Sequence, residues 1–380
     1  MADTVTWSLL RELASFRAEK GCATSLYLNL DPSVAPTAGG AAVRINSLLA
    51  EGERIVEGRK EQLPRGAREG LKADLERIRR WLDDDFDRAG THGVAVFACG
   101  PDGLWQPLGL AEPVEDEVKL GEQLYLAPLV RLVGRGDGVL VAYVGRERAQ
   151  VYRLRANRLE EIADRTEDVP SRHDQGGWSQ ARYERHIENI VGQHLRRVAD
   201  TLDRCVRRLV APTIVLVGAE EIRSEFEALL SHEAREACIG WGSAERHASP
   251  AELLEAAEPL LRKRDTAHEQ ELLERWREEA SRDGRASAGW NRTLEAASEG
   301  RVEQLLVQEG ADRPAYRCPE CGRAQATDGN CPLDGTQLER RPDGLDLAVH
   351  QTLVHGGTVR VIRERRDLDP VEGIGALLRY

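Results

Sequence analysis

The residues best placed to do chemistry are three of the seven cysteines, set in Cys318-Pro-Glu-Cys321 and Cys331-Pro-Leu-Asp334. Each four-residue turn is followed by a glycine, Gly322 and Gly335, where a metal-binding knuckle reverses the chain. Thiolates and a carboxylate at this spacing suit zinc, with Cys318, Cys321, Cys331 and Asp334 as the ligands. Four protein ligands leave no open position for a reacting group, so the expected zinc is structural. His350 and His355 are alternative fourth ligands, although each falls in the helix that follows. Free thiols or a lapsed site compete with this reading. A redox pair fits less well, because no thioredoxin-like βαβ pattern surrounds it.

The second candidate is a local excess of positive charge. Arg185, Arg196 and Arg207 recur along one stripe of a long helix, with Arg197, Arg204 and Arg208 beside them. The chain as a whole carries a net charge of −12, which argues against general nucleic-acid binding. An RNA partner must therefore be met locally, and this stripe is the place; a plain solvated face is the competing reading. Conventional catalysis has little support, with no Gly-x-Ser-x-Gly, phosphate loop or His-Glu-x-x-His present. His194 lies on the apolar side of the helix, where a core histidine is expected rather than a base. No catalytic residue is assigned.

These residues need a scaffold, and 380 residues exceed one ordinary core. Apolar residues make up 41% and charged residues 31%, the balance of a globular protein. The scattered Cys22, Cys99, Cys205 and Cys238 do not form a secreted disulfide framework, and no apolar run is long enough to span a membrane. A cytoplasmic monomer with no membrane partner is expected.

The periodicities alternate between helix and strand. Residues 4–17 carry helical spacing, Ser25–Leu30 reads as a strand, and amphipathic helices follow at Ala41–Val56 and Arg68–Leu82. A β-rich stretch runs from Gly93 to about Gln106. Strands are expected at Gly138–Val144, Ala149–Leu154 and Thr213–Gly218, the last two separated by the long helix with Ile187, Ile190, Val198 and Leu202 on its apolar stripe. Ser249-Pro-Ala-Glu252 is a capping box opening a helix at Ala251–Arg262, with a second helix at Glu269–Ser281. Beyond lie a helix at Asn291–Glu299, a strand at Val302–Val307, the cysteine-bearing insertion over about 314–341, a helix at Leu345–His355 and a strand at Thr358–Ile362. The expected fold class is α/β with mixed α+β layers.

Four ordered segments carry a resemblance. His173-Asp-Gln-Gly-Gly-Trp-Ser-Gln-Ala-Arg-Tyr-Glu-Arg185, Pro212–Gly218 with Glu225-Phe226, Gly289–Gly300 with Val302–Leu306, and Glu372–Tyr380 resemble the archaeo-eukaryotic class I release factor family, which includes the rescue factor Pelota, and especially its divergent bacterial members. The resemblance implies three domains, 1–124, 125–268 and 269–380. The first would read the decoding centre, the second would send its loop to the peptidyl-transferase centre, and the third would dock a translational GTPase. The implied ribosomal contacts are the loop Gly176, Gly177, Trp178 and Ser179, and Arg182, Arg185, Arg196, Arg197 and Arg207 on rRNA at the A site. Glycines suit a backbone that enters an RNA pocket closely.

Two departures bear on function. Release factors follow the two glycines with a glutamine that helps place water at the peptidyl-tRNA ester, and this chain has Trp178 there. An indole has one donor and no acceptor; it stacks on a base but does not orient water as an amide does. The family's Asn-Ile-Lys-Ser segment for stop codons has no accepted counterpart, Arg44-Ile-Asn-Ser47 being the nearest stretch. The expected function is a factor that occupies the A site in rescue or dormancy without hydrolysis. An active release factor, or an RNA-binding protein working off the ribosome, are the alternatives.

Overall fold

The computed structural model describes residues 3–133, 138–155, 157–166, 180–209, 211–282, 284–363 and 365–380, apart from the side chains of 38, 180–185 and 187. They fall into two compact units. One joins residues 1–134 to 269–380, and the other is 135–268.

The first unit opens with α1 (Trp7–Ser15), shorter than the expected 4–17, because Thr6 ends its extended approach by accepting the Leu9 N–H at 3.2 Å. Then come β1 (Ala23–Asn29), α2 (Ala38–Gly58), α3 (Arg65–Arg80), β2 (Gly93–Cys99), β3 (Leu104–Leu110), β4 (Glu117–Gly121) and α4 (Ala127–Val130). The strands form an antiparallel sheet in the order β3-β2-β1-β4. Successive residues of a strand face opposite sides. Leu26 and Leu28 of β1 and Val94, Val96 and Ala98 of β2 therefore meet Leu48, Leu49, Leu71 and Leu75 of α2 and α3. Tyr27, Ala95 and Phe97 face the other way, into a core shared with α1 and the C-terminal stretch. Burial on both faces makes these antiparallel strands read as nearly continuous apolar runs. Truncating a fully buried contact such as Leu71→Ala costs about 2–5 kcal/mol.

The second unit holds β5 (Val139–Val144), β6 (Ala149–Arg155), β7 (Arg158–Asp164), α5 (Gln180–Val206), β8 (Thr213–Gly218), α6 (Arg223–Leu229), α7 (His232–Ala237), β9 (Cys238–Gly242) and the start of α8 (Pro250–Ser281). Its sheet runs β7-β6-β5-β8-β9, antiparallel through β5 and parallel from β5 to β9. Leu140, Ala142, Ile214 and Leu216 pack on Val191, Leu195, Val198 and Leu202 of α5. Val141, Tyr143, Val215 and Val217 pack on Leu253 and Ala257 of α8. Gly218 is obligatory where β8 passes β5, since a Cβ there would lie 2.2 Å from the Val144 carbonyl oxygen.

The capping box of α8 forms: the Ser249 N–H donates to the Glu252 carboxylate at 2.7 Å, and the Glu252 N–H donates back to Ser249 Oγ at 3.4 Å. Where two helices were expected, at 251–262 and 269–281, one unbroken helix runs from Pro250 to Ser281. Residues 262–268 are exposed on every side, so no apolar stripe marks them. Helix propensity alone continues the turns there.

The rest of the first unit is β10 (Ala286–Ala288), α9 (Trp290–Ser298), β11 (Val302–Gln308), β12 (Ala315–Arg317), β13 (Ala324–Gln325), β14 (Glu339–Arg341), α10 (Gly344–Val354), β15 (Thr358–Ile362) and β16 (Ile374–Leu378). A second sheet has the order β10-β16-β11-β15, with β11 and β15 parallel. One face joins the shared core and the other receives Leu272, Leu273 and Trp276 of α8. Trp276 Nε1 donates to the Ser287 carbonyl at 2.9 Å, and its indole lies so near Gly375 that a Cβ there would come within 2.7 Å. A polar seam ties the two stretches: Asp346 Oδ1 accepts the N–H groups of Leu126 and Ala127 at 2.7 and 2.9 Å, and Lys119 pairs with Asp343 at 2.9 Å. Among the described residues, no helix is long and apolar enough to cross a membrane.

Candidate functional site

The cysteine insertion is built on a three-stranded antiparallel sheet, β13-β12-β14, from which two matching turns project. In the first, the Cys318 N–H donates to the Arg323 carbonyl at 2.8 Å and the Gly322 N–H to the Cys318 carbonyl at 3.0 Å. In the second, the Cys331 N–H donates to Thr336 at 2.8 Å and the Gly335 N–H to Cys331 at 2.9 Å. Gly322 and Gly335 have φ of 77° and 76°, the left-handed conformation that favours glycine.

These turns bring the four expected ligands together. The sulfurs of Cys318, Cys321 and Cys331 and a carboxylate oxygen of Asp334 all lie within 4.8 Å of one another. Cys318 Sγ is 3.4 and 3.6 Å from the two Asp334 oxygens, and Cys321 Sγ is 3.4 Å from Cys331 Sγ. A tetrahedron with Zn–S of about 2.3 Å and Zn–O of about 2.0 Å has edges of about 3.8 Å between sulfurs and about 3.5 Å from sulfur to oxygen. The donor set fits such an ion. Its carboxylate is ready to ligate, because the Thr336 backbone N–H, at 2.9 Å, holds the Asp334 carboxyl well below the usual range. Neither histidine enters the cluster: His350 is buried in α10 with Nε2 against the Leu124 carbonyl, and His355 is exposed beyond the helix end.

Sequence reasoning missed the residues that dock this insertion. Arg323 pairs with Glu295 and Glu299 of α9 at 2.8 and 3.1 Å, and Gln351 Nε2 donates to the Gly322 carbonyl at 2.8 Å. Common residue types paired across the chain leave no local signal that would have found them.

The other expected site divides. Gly176, Gly177, Trp178 and Ser179 lie outside the described residues. Arg182 and Arg185 fall on the backbone of α5, but their side chains lie outside the described set. Arg196, Arg197, Arg204, Arg207 and Arg208 are all exposed, while Val191, Leu195, Val198 and Leu202 bury the opposite face. Arg207 is loosely paired with Glu233 at 3.9 Å, and both side chains remain about two-thirds exposed, at 66% and 67%. Asp203, within the same helix, is taken by the Ser231 hydroxyl at 2.7 Å. His194 is fully buried, consistent with its place on the apolar stripe.

A long helix flanking a mixed sheet, with exposed arginines on its outward face, defines an α/β protein. Comparison with known proteins narrows this class. Residues 125–262 match Bacterial archaeo-eukaryotic release factor family 10. Peptide chain release factor subunit 1 of Archaeoglobus fulgidus is 24% identical over 343 residues, covering 85% of this chain and 81% of that protein. Among solved structures, the archaeal translation termination factor aRF1 aligns over 99% of both chains with 18% identity and a TM-score of 0.28. A structure of ribosome-bound archaeal Pelota and ABCE1 aligns over 100% of this chain and 95% of that one, with 11% identity and a TM-score of 0.41. The chain is thus similar to archaeo-eukaryotic release factors over most of its length, and its segment 125–262 matches the bacterial branch of that family.

Proposed function

We propose that this protein is a ribosome-binding translation factor that occupies the A site in rescue or dormancy and leaves peptidyl-tRNA intact. The observation that carries the reading is Trp178, which stands after Gly176-Gly177 where release factors place the hydrolytic glutamine. An indole fills and stacks in a nucleobase pocket, contributing about 1–3 kcal/mol, but has no carbonyl with which to orient a water. The exposed arginines of α5 supply phosphate contacts that an acidic chain otherwise lacks. On this reading residues 1–124, 125–268 and 269–380 are the working domains, a translational GTPase delivers the factor, and it acts in the cytoplasm as a monomer. Cys318, Cys321, Cys331 and Asp334 hold a structural zinc, whose charge fixes the two turns of an insertion too small for a core of its own.

The relatives' name favours a second reading, an active release factor. Peptide release from pre-loaded ribosomes separates the two. We expect the unmodified protein to co-sediment with ribosomes while releasing peptide at the spontaneous rate; turnover well above that rate would return it to the release factors. Failure to co-sediment at low salt would remove it from the ribosome altogether.

A further inference from the structure

Beside the cysteine turns, a cavity of about 270 Å³ opens between the end of α10, the first turn and the segment after α1. Its walls include Arg17, Arg317, Glu320, His350, Gln351 and His355. Two wall residues are buried, each with one nitrogen lacking a hydrogen-bond partner among the described residues. Arg317 is only 6% exposed, and its Nε has no hydrogen-bond partner among the described residues. His350 is 2% exposed and its Nδ1 is likewise without one.

A buried guanidinium without a direct ion-pair partner is costly, and the carboxylates nearest Arg317 do not supply one. Arg17 and Arg341 face it with like charge, opposed by Glu122 and Glu339. Both acids are already engaged: Glu122 pairs with Arg17 at 2.9 Å, and Glu339 with Arg341 at 3.0 Å. No carboxylate among the described residues lies within ion-pair distance of Arg317 itself. Water entering the cavity satisfies a donor but does not cancel the charge. An oxyanion does both, and the planar guanidinium fork matches a phosphate's oxygens.

We propose that this cavity is a phosphate-binding site, with Arg317 as the buried anchor, Arg17 as the second cation and Glu320 as an acid at the mouth that limits affinity. The ligand chemistry is a phosphate group, whether free, on the end of a small ester or within an RNA backbone. The proposal is independent of ribosome binding, because it is read on the isolated protein.

The test uses the full chain in phosphate-free buffer, titrated separately with inorganic phosphate, a nucleoside 5′-monophosphate and a short RNA without terminal phosphates. Binding is followed by thermal midpoint and, for the first two, by 31P line broadening. We expect at least one source to raise the midpoint with concentration. Response to the first two alone assigns a terminal phosphate, and response to the RNA assigns a backbone phosphate. Arg317→Met should abolish the response while melting no lower than the wild type before ligand is added, since it removes a buried charge without breaking a pair. Arg17→Gln should weaken affinity about tenfold or more, the size of one charge-assisted hydrogen bond, and Glu320→Gln should strengthen it. No response to any source, or equal responses from the wild type and Arg317→Met, would overturn the proposal. So would a lower midpoint for Arg317→Met without ligand, which would make the arginine a structural element.

Discussion

Reversing Arg196, Arg197 and Arg207 to Glu tests whether α5 touches RNA. All three are exposed, and the packing of the helix rests on Val191, Leu195, Val198 and Leu202, so the fold should survive. Arg207 pairs with Glu233 at 3.9 Å, and a pair this exposed is worth about 0–1 kcal/mol at most. Acids at the end of the helix add an unfavourable interaction with its dipole of about 0.3–1 kcal/mol each, so a triple Gln variant is the matched control. Each lost phosphate contact removes about 0.7–0.9 from the slope of log affinity against log salt. Three contacts therefore flatten the slope by about 2–3. Between about 50 and 200 mM salt, about 20–40-fold of the wild type's salt-driven loss should disappear. Co-sedimentation with ribosomes across that range measures it. An unchanged slope in a variant that melts like the wild type would show the row to be a solvated face.

Three further outcomes are expected. Purified protein should carry about one zinc per chain, and Cys321→Ser should lose it with local opening of residues 315–341, read by elemental analysis and amide exchange; metal-free protein of undiminished stability would end the idea. Gly218→Ala should destabilise the 135–268 unit by at least about 1–3 kcal/mol in urea melts, because its methyl group would lie 2.2 Å from the Val144 oxygen. The Ser249 N–H and hydroxyl hold the Glu252 carboxyl below its ordinary value of 4.5, so this stabilisation is complete above that pH and lost as pH falls through the lower folded value. The stability gap between wild type and Ser249→Ala should accordingly narrow on acidification below pH 4.5, and a constant gap would refute the linkage.

The candidate metal ligands were legible because spacing within a turn is a local property: two four-residue turns, each closed by a glycine, converge with little help from the rest of the chain. The apolar stripe of α5 and the runs at β5 and β8 were legible through period and continuity. β7 and β9 escaped notice because edge strands need not be apolar, and β7 is largely exposed. α8 was divided at 262–268 because periodicity reports a buried face, which a helix exposed on all sides does not have. The Arg317 cavity was hidden for a different reason. Its walls come from residues 17, 317, 350 and 355, and an arginine's lack of a partner appears only when every neighbour is in place.

The first unit is assembled from the two ends of the chain, and that has a consequence during synthesis. Leu10, Phe97 and Leu124 share a core with Leu294, Leu305 and Leu353, which leave the ribosome only after the whole of 135–268 has been made. The packing of β1 and β2 on α2 and α3 is complete within the first 134 residues and is available early. The opposite face of the same sheet must wait, with Phe97 and its neighbours uncovered. The entropy of closing so long a loop grows only logarithmically, so the delay costs more in time than in final stability. Nascent chains paused between the two stretches are where aggregation and chaperone capture should concentrate.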